Sequence, residues 1–152
     1  KLLVNHTNLL LVNLGNDRHN VTPLVVRMRK AKDLDALNFV VQEALSSVSA
    51  SGSQDTGNSL VRTMVFVDSL CAHLRSLLPA HLHEQVDFFH SLRTSRVKGK
   101  VMRRFRDGRI KILCTTEAAA MGMDVGDIVR IVQYKVPRSL CIWFQRYGRA
   151  GR

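Results

Sequence analysis

The chain has 152 residues, of which 45% are hydrophobic and 6% aromatic; this is typical of one globular α/β domain and excludes a disordered chain. Its 23 Lys and Arg against 12 Asp and Glu give a formal net charge of +11, which favours nucleic acid as a partner and, second, an acidic membrane surface. A basic domain in a parent protein that is neutral overall is the alternative. No apolar run reaches the about 20 residues of a transmembrane helix.

The first part of the sequence gives weak structural signals. Residues 1–20 have no clear period and are interpreted as a linker or the tail of a preceding domain; the start at Lys1, without methionine or signal peptide, predicts a piece of a longer protein. The β-branched run PLVVRM predicts a strand over residues 23–28. Apolar residues at helical spacing predict a helix over residues 34–45, and polar residues 46–59 predict a loop.

From residue 63 onward, strand and helix signals alternate. The predicted strands cover residues 63–67, 85–90, 110–116 and 128–134, and the predicted helices cover residues 70–78, 94–105, 117–121 and the stretch from residue 137. Repeated strand–helix units indicate an α/β fold with a mostly parallel sheet and helices on both faces. Because ligands bind beyond the carboxyl ends of such strands, the candidate sites are the loops that follow Val67, His90, Thr115 and Tyr134.

Small polar residues occupy these loops. Ser69 and the pair His90 and Ser91 precede predicted helices, where free backbone N–H groups suit a phosphate. Helix capping without any ligand is the simpler explanation of these residues taken alone. Thr115 and Thr116 end a strand, where hydroxyl groups can reach a phosphate or a sugar.

Two further residues favour a nucleotide. Gly122 permits close approach of the backbone, and Asp124 presents a carboxylate of the kind that often holds ribose hydroxyl groups. Taken in isolation, the pair is a weak signal.

The segment from Arg93 to Lys111 is strongly basic, with nine Lys and Arg residues and a single acid, Asp107. A solvated helix face normally mixes charges so that residues four apart can pair. The pattern therefore favours contact with a phosphate backbone, with a merely soluble face as the alternative.

The sequence ends with QRYGRAGR, residues 145–152. Arg149 and Arg152 are permanently charged and forked, and the glycines beside them free the backbone, which suits bidentate binding of phosphate. The alternative is a flexible basic tail. Because the sequence contains no phosphate-cradling loop and no Asp-Glu pair for magnesium, a nucleotide would be bound chiefly by another domain.

The cysteines and histidines show no metal-ligand spacing, so no metal site is predicted. Cys71, Cys114 and Cys141 are odd in number and widely spaced. They are predicted to be reduced core residues of an intracellular protein.

The order of these segments resembles a known family. TMVFVDS, FFHSL, ILCTTEAAAMGMDVGD and QRYGRAGR are similar to motifs four to six of the second RecA-like lobe of superfamily-two helicases, over residues 17–152. Within the superfamily the sequence resembles the RecQ DNA helicases, whose MGI(N/D) and QExGRAGR segments are similar to MGMD and QRYGRAGR here. DRHN, residues 17–20, is similar to the RPN with which RecQ proteins enter this lobe.

The resemblance implies a RecA-like domain of the P-loop NTPase type over residues 21–152, preceded by a linker or the tail of a preceding lobe over residues 1–20. It implies the C-terminal motor lobe of an ATP-dependent 3′–5′ DNA helicase, intracellular and, in a eukaryote, nuclear. ATP and Mg²⁺ would be held mainly by an N-terminal RecA-like lobe, so these residues alone are expected not to hydrolyse ATP. The expected partner is single-stranded or forked DNA, with RNA less favoured and no membrane.

Residue roles follow from the same resemblance. Arg149 and Arg152 would be arginine fingers that reach ATP, and Gln145 would couple the ATP cleft to the nucleic acid. Gly122 and Asp124 would lie near the ribose. The backbone of the translocated strand would be held by Ser69, His90, Ser91, Thr115 and Thr116.

Three positions bear on the alternatives. DEAD-box RNA helicases carry HRxGRxGR and usually ARGxD, whereas this sequence has Gln145 in place of that first histidine and Met121 in place of that arginine, which favours DNA over RNA. Arg146 stands where RecQ proteins usually have glutamate. The alternatives are the equivalent lobe of an RNA helicase and a non-catalytic nucleic-acid-binding fragment of a degenerate helicase.

Overall fold

The computed structural model of the chain describes residues 20–30, 33–42, 60–67, 71–116 and 125–151. Several predicted features lie outside the described residues, namely most of the linker over residues 1–20, the loop 46–59 and the helix 117–121. Four of the predicted site residues also lie outside them: Ser69, Gly122, Asp124 and Arg152.

The described elements alternate between strand and helix. In chain order they are β1 (Thr63–Phe66), α1 (Cys71–Ser76), a 3₁₀ helix (Ala80–Gln85), β2 (Val86–Phe89), α2 (Ser95–Arg106), β3 (Ile112–Thr115), β4 (Arg130–Gln133) and α3 (Leu140–Tyr147). Within the described ranges, the predicted order of elements from residue 63 onward is confirmed.

The strands form one four-stranded sheet in the order β2-β3-β1-β4, and every pair is parallel. Strand side chains alternate between two buried clusters. One cluster joins Val65 and Cys114 to α1, and the other joins Met64 and Leu113 to Phe105 of α2. Helices therefore cover both faces, which confirms the predicted α/β class.

The ends of α2 follow from its local sequence. The Thr94 hydroxyl accepts a hydrogen bond from the backbone N–H of Val97 at 3.5 Å, which is the expected role of a threonine that precedes a helix. Gly108 adopts a φ of +74° just after the helix, a conformation that glycine tolerates best. The predicted close of the helix at Asp107 and Gly108 is confirmed.

Three predictions are wrong or incomplete. Residues 23–28 form no strand: Leu24 and Val25 are 81% and 94% exposed, and apolar side chains without a neighbouring strand have nothing to pack against. Within the predicted helix 34–45, a 3₁₀ turn at Asp35–Leu37 comes first. Cys141 is exposed rather than in the core.

No helix in the described part of the chain is long and apolar enough to span a membrane.

Candidate nucleic-acid and nucleotide sites

The carboxyl ends of all four strands lie at one edge of the sheet. Thr115 of β3 is in register with Phe89 of β2 and Phe66 of β1, and Phe66 is in register with Gln133 of β4. Since neighbouring strands are about 4.8 Å apart, the residues that follow β2 and β3 are close together. The register thus brings together four predicted nucleic-acid contacts: His90, Ser91, Thr115 and Thr116.

His90 has a fixed ring and a defined acceptor nitrogen. Its ring stacks on Phe88 with centroids 5.2 Å apart and an angle of 4° between the planes. Its Nδ1 accepts a hydrogen bond from the backbone N–H of Leu92 at 3.2 Å. In a neutral imidazole the proton is then on Nε2, which makes Nε2 a donor suited to a phosphate oxygen.

The turn after His90 is tied to helix α2. The Nζ of Lys98 donates to the backbone carbonyl of Ser91 at 3.5 Å, and the backbone N–H of Arg93 donates to the carbonyl of His90 at 3.3 Å. Ser91 itself is exposed. The Ser91 hydroxyl group is thus carried on a turn that Lys98 and Arg93 hold in place.

The two threonines at the end of β3 differ. Thr115 is 1% exposed, and its hydroxyl donates to the carbonyl of Thr116 at 3.0 Å. Thr116 is half-buried and its backbone N–H bonds the carbonyl of Phe89 at 3.4 Å. In this structure the Thr115 hydroxyl is committed within the chain, so Thr116 is the better placed of the two to meet a ligand.

A buried carboxylate supports this edge from below. Asp87 is 9% exposed, and its Oδ1 lies 3.2 Å from the guanidinium of Arg93 and 4.0 Å from that of Arg75. The guanidinium of Arg93 also lies 3.5 Å from the centre of the Phe88 ring. Arg93 therefore packs on the Phe88 ring, on which His90 also stacks. Because it is engaged in these contacts, Arg93 is not part of a free basic surface.

Two cysteines join α1 to β3 beside this carboxylate. A hydrogen bond with the Cys114 thiol lowers the pKa of Cys71. The same bond and burial raise the pKa of Cys114 well above its usual value. This contact joins α1 to β3, one of the two inner strands of the sheet.

The second group of predicted residues lies on and after helix α3. The Ser139 hydroxyl caps this helix by accepting from the N–H of Ile142 at 3.3 Å. Gln145 is exposed on the last turn of α3, and the half-buried Arg149 follows its end. The backbone N–H of Arg149 donates to the carbonyl of Arg146 at 3.0 Å.

The loop that carries Arg149 is fixed on both sides. Before it, the Tyr147 hydroxyl donates to the carbonyl of Val21 at 3.2 Å. After it, the N–H of Gly151 donates to the carbonyl of Ile128 at 3.1 Å. The Gly151 carbonyl accepts from the Asn20 side chain at 2.6 Å. We call residues 148–151 the finger loop.

The two groups are separate. The first follows β2 and β3, whereas α3 follows β4, and β2 and β4 are the outer strands of the sheet. Three strand spacings correspond to about 14 Å between these outer strands. The finger loop is bonded to Ile128, which precedes β4, so it lies toward the amino ends of the strands and is distinct from the polar surface at their carboxyl ends.

The described residues supply phosphate ligands rather than metal ligands. Within the described ranges, no group of three or more His, Cys, Asp or Glu residues could hold a metal ion. Guanidinium groups such as that of Arg149 bind phosphate oxygens well. The described residues thus fit the phosphate part of a nucleotide, and Mg²⁺ would need carboxylates from elsewhere.

Sequence reasoning missed the anchors of α3. Arg146, noted only as an exception to a motif, is 7% exposed; its guanidinium donates to the Gln133 side chain and lies 4.6 Å from the Phe66 ring centre. Asn20 is the last residue of the predicted linker over residues 1–20 and nevertheless bonds the finger loop. No local periodicity marks a contact between distant parts of a chain, so only the motif context of Arg146 could have drawn attention to it.

Comparison with known proteins identifies the domain. The family model described as "Helicase conserved C-terminal domain" matches residues 35–152. The chain belongs to this family. The helicase C-terminal domain has a RecA-like α/β fold, and the parallel sheet described above agrees with it.

Its curated relatives include RNA helicases. The domain is 38% identical over 68 residues to "ATP-dependent RNA helicase rok1" of Neurospora crassa, covering 45% of this chain and 9% of that protein. It is 34% identical over 93 residues to "DEAD-box ATP-dependent RNA helicase 13" of Oryza sativa subsp. japonica, covering 60% and 11%. The match therefore spans about a tenth of the length of these relatives.

Solved structures share the fold. "Mss116p DEAD-box helicase domain 2 bound to an RNA duplex" matches 80% of this chain and 46% of that one, with a TM-score of 0.59 and 21% identity. The "DUF1998 helicase MrfA bound to DNA and AMPPNP" matches 86% and 17%, with a TM-score of 0.65 and 24% identity. At these identities the likeness concerns the fold.

The predicted RecQ DNA helicase is wrong. The relatives at 34–38% identity are ATP-dependent RNA helicases, so the RNA-helicase alternative fits better. The resemblance to RecQ proteins rests on short motifs such as MGMD and QRYGRAGR, and Gln145 and Met121 differ from the usual DEAD-box residues, whereas the similarity to RNA helicases extends over 68 to 93 residues. The superfamily-two helicase assignment stands.

Proposed function

We propose that this chain is the second motor lobe of an ATP-dependent RNA helicase related to the DEAD-box enzymes. It would close on ATP and Mg²⁺ held mainly by a first lobe, and would hold the backbone of one RNA strand. The observation that carries the proposal is the presence of two separate polar surfaces on the sheet of a helicase C-terminal domain: the strand ends after β2 and β3, and the finger loop after α3.

The strand-end surface is suited to a sugar-phosphate backbone. The Nε2 donor of His90 and the exposed hydroxyl of Ser91 lie beside Thr116 at adjacent strand ends. Such groups contact phosphates and sugars and do not read bases. The net charge of +11 adds an attraction to any polyanion. Ser69 and Thr115 belong to this proposed contact set by position in the motifs.

The finger loop is suited to the departing phosphate of ATP. When water attacks the terminal phosphorus, charge builds up on the phosphoryl oxygens, and a guanidinium placed there accelerates hydrolysis by about 10³- to 10⁵-fold. Because Tyr147 and Gly151 are hydrogen-bonded to distant parts of the domain, Arg149 is carried on a loop that needs little rearrangement.

Four further residues are assigned roles in the ATP cleft by their position in the motifs. Arg152 is proposed as a second finger, and Gln145, exposed on α3, as the coupling residue between ATP and RNA. Gly122 and Asp124 are proposed to lie near the ribose. Each role can be tested separately, because each predicts a loss in a different step.

The preferred strand is RNA because the named relatives are RNA helicases. The discrimination of RNA from DNA at a backbone site comes from the 2′-hydroxyl group. His90 and Thr116 are the described residues whose side chains we expect to meet it.

The decisive experiment is RNA-stimulated ATP hydrolysis by the polypeptide that joins this chain to its first lobe. Arg149→Ala should lower kcat by about 10³-fold or more with the Kd for RNA unchanged. The matched control is Arg27→Ala, an exposed arginine of the amino-terminal segment, which should leave kcat unchanged. The 152-residue chain alone should bind RNA without appreciable hydrolysis.

Two outcomes would overturn the proposal. Equal kcat in the Arg149→Ala and Arg27→Ala variants would remove the finger loop from catalysis. RNA binding without any hydrolysis in the joined polypeptide would instead support a nucleic-acid-binding fragment that has lost the motor activity.

A further inference from the structure

Two buried cysteines from distant parts of the sequence meet between helix α1 and the sheet. Cys71 is the first residue of α1, and Cys114 lies in β3. Their side chains share a hydrogen bond and belong to one buried cluster. The contacts proposed for RNA and ATP use neither thiol, so the proposed function leaves this pair without a role.

The surroundings of the pair allow the two sulfur atoms to come closer together. Strand β3 is an inner strand, fixed by parallel pairing with β1 on one side and with β2 on the other. Helix α1 has only six residues, and Cys71 is at its end. A disulfide needs a sulfur–sulfur distance of about 2.05 Å. Because hydrogen-bonded thiols are already in contact, a small shift of the first turn of α1 is sufficient.

The two thiols differ in ionisation and in access. The hydrogen bond with Cys114 lowers the pKa of Cys71 against the effect of burial, and the nearby guanidinium of Arg75 acts in the same direction. The same hydrogen bond and burial raise the pKa of Cys114 well above its usual value. Cys71 is also the more exposed of the two, at 7% against 3%. Since the thiolate is the reactive form, Cys71 is the residue that a small oxidant attacks first.

We infer that Cys71 and Cys114 form a reversible redox site, in which a peroxide joins them in a disulfide and a dithiol separates them again. The Cys71 sulfur bonds to one oxygen of hydrogen peroxide, the O–O bond breaks, and the departing hydroxide takes the Cys71 proton to become water. The Cys114 sulfur then attacks this sulfenic acid, the S–O bond breaks, and hydroxide leaves as water with the Cys114 proton. The two sulfur atoms lose two electrons in total, and hydrogen peroxide is reduced to two molecules of water.

A chain of contacts connects α1 to the strand-end surface. Arg75 of α1 lies 4.0 Å from Asp87, and Asp87 pairs with Arg93. Arg93 packs on the aromatic ring on which His90 stacks. A shift of α1 toward β3 therefore reaches His90 through these side chains. We expect the disulfide to weaken RNA binding, and this part of the inference rests on the proposed function.

The disulfide is tested in the Cys141→Ser chain, which keeps only the two buried thiols and cannot cross-link through the exposed one. After treatment with hydrogen peroxide, digestion at Lys and Arg should give the peptides of residues 63–75 and 112–130 joined together. Dithiothreitol should separate them. Recovery of the two peptides only in unlinked form would overturn the inference.

The order of the two steps is tested by removing one thiol at a time from the same chain. In the Cys114→Ala variant, oxidation of Cys71 should stop at the sulfenic acid, which the reagent dimedone traps on the peptide of residues 63–75. The Cys71→Ala variant should give no such adduct. An adduct in Cys71→Ala and none in Cys114→Ala would overturn the assignment of Cys71 as the residue attacked first.

The effect on RNA is measured by fluorescence anisotropy with a short single-stranded RNA, before and after oxidation of the Cys141→Ser chain. Oxidation should raise the Kd by about tenfold, which corresponds to the loss of one hydrogen bond to a charged group. Dithiothreitol should restore the Kd, whereas it does not repair oxidised methionine. The matched control is the Cys114→Ala variant of this chain, whose Kd should not change under the same treatment.

The outcomes separate this inference from the proposed function. A disulfide that forms without a change in Kd would overturn the redox control of RNA binding. If the reduced chain does not bind RNA, the proposed RNA grip and its redox control both fail, whereas the linked peptides still decide whether the disulfide forms. Far-UV circular dichroism shows that each variant is folded.

Discussion

Asn20 and Gly151 are 131 residues apart in the chain and are joined by a hydrogen bond of 2.6 Å from the Asn20 side chain to the Gly151 carbonyl. Gly151 has a φ of +63°, and a Cβ at this position would lie 2.7 Å from Asn20 Nδ2. The amino-terminal segment and the finger loop therefore fit so closely that glycine is the residue best suited to position 151. This hydrogen bond connects the amino-terminal segment to the finger loop, which carries Arg149.

Gly151→Ala should destabilise the domain. The left-handed conformation costs a non-glycine residue about 1–2 kcal/mol, and the clash with Asn20 adds to it. Each kcal/mol corresponds to a decrease in Tm of about 2–4 °C in a chain of this size. Gly126→Ala is the matched control, because an added Cβ there meets nothing within 4 Å.

A double-mutant cycle separates the two causes. Asn20→Ala removes the clash but not the backbone strain, so the double variant should be less destabilised than the sum of the two single variants. Strict additivity of the changes in Tm would show that the Asn20 side chain does not press on position 151.

Arg146 should be a structural residue rather than a catalytic one. Arg146→Ala removes the hydrogen bond to Gln133 and the contact with the Phe66 ring, and should lower the free energy of unfolding by about 2–4 kcal/mol. Arg146→Lys should recover less than half of this loss, since an ammonium group neither forks nor stacks as a guanidinium does. Urea denaturation measures both.

The exposed Arg138 provides the comparison for Arg146. Arg138→Ala should change stability by no more than about 0.5 kcal/mol, as is usual for a surface substitution. An Arg146→Lys variant as stable as the unaltered chain would show that charge alone, and not the geometry of the guanidinium, anchors α3.

The strands were predictable because a strand that is buried on both faces of a parallel sheet is a short run of mostly apolar residues. All four residues of Thr63–Phe66 are buried, as are all four of Ile112–Thr115, and such short apolar runs are typical of central parallel strands. Residues 23–28 have the same β-branched composition but no neighbouring strand. A β-branched composition indicates that a segment can form a strand, whereas its pairing with another strand depends on the rest of the fold.

The site was predictable only in part. Motif order placed His90, Ser91 and Thr116 at neighbouring strand ends, because the carboxyl ends of parallel strands share an edge. The contacts that hold the finger loop were not predictable, because Asn20 and Val21 meet it only through the tertiary fold. The preference for DNA over RNA was wrong because it depended on short motifs and on two positions, Gln145 and Met121, whereas the similarity to RNA helicases extends over 68 to 93 residues.

Gly99 should be replaceable with a gain in stability. It lies in the middle of α2, where an added Cβ meets nothing within 4 Å, and glycine in a helix interior is less stable than alanine by about 0.5–1 kcal/mol. A gain of this size should raise the Tm of the Gly99→Ala variant by about 1–4 °C. Gly108→Ala should lower it, because Gly108 has a φ of +74°. A decrease for both variants would contradict the open position of Gly99.

The cysteines should react at very different rates in the folded chain. Cys141 is exposed, whereas Cys71 and Cys114 are buried and hydrogen-bonded to each other. Although this bond lowers the pKa of Cys71, a buried thiolate still reacts slowly with a bulky disulfide reagent, because access as well as ionisation limits the rate. Titration with such a reagent should therefore show one fast thiol under native conditions and all three in urea. Cys141→Ser should remove the fast phase completely, and a fast phase that persists in this variant would mean that α1 opens from the sheet far more readily than its packing indicates.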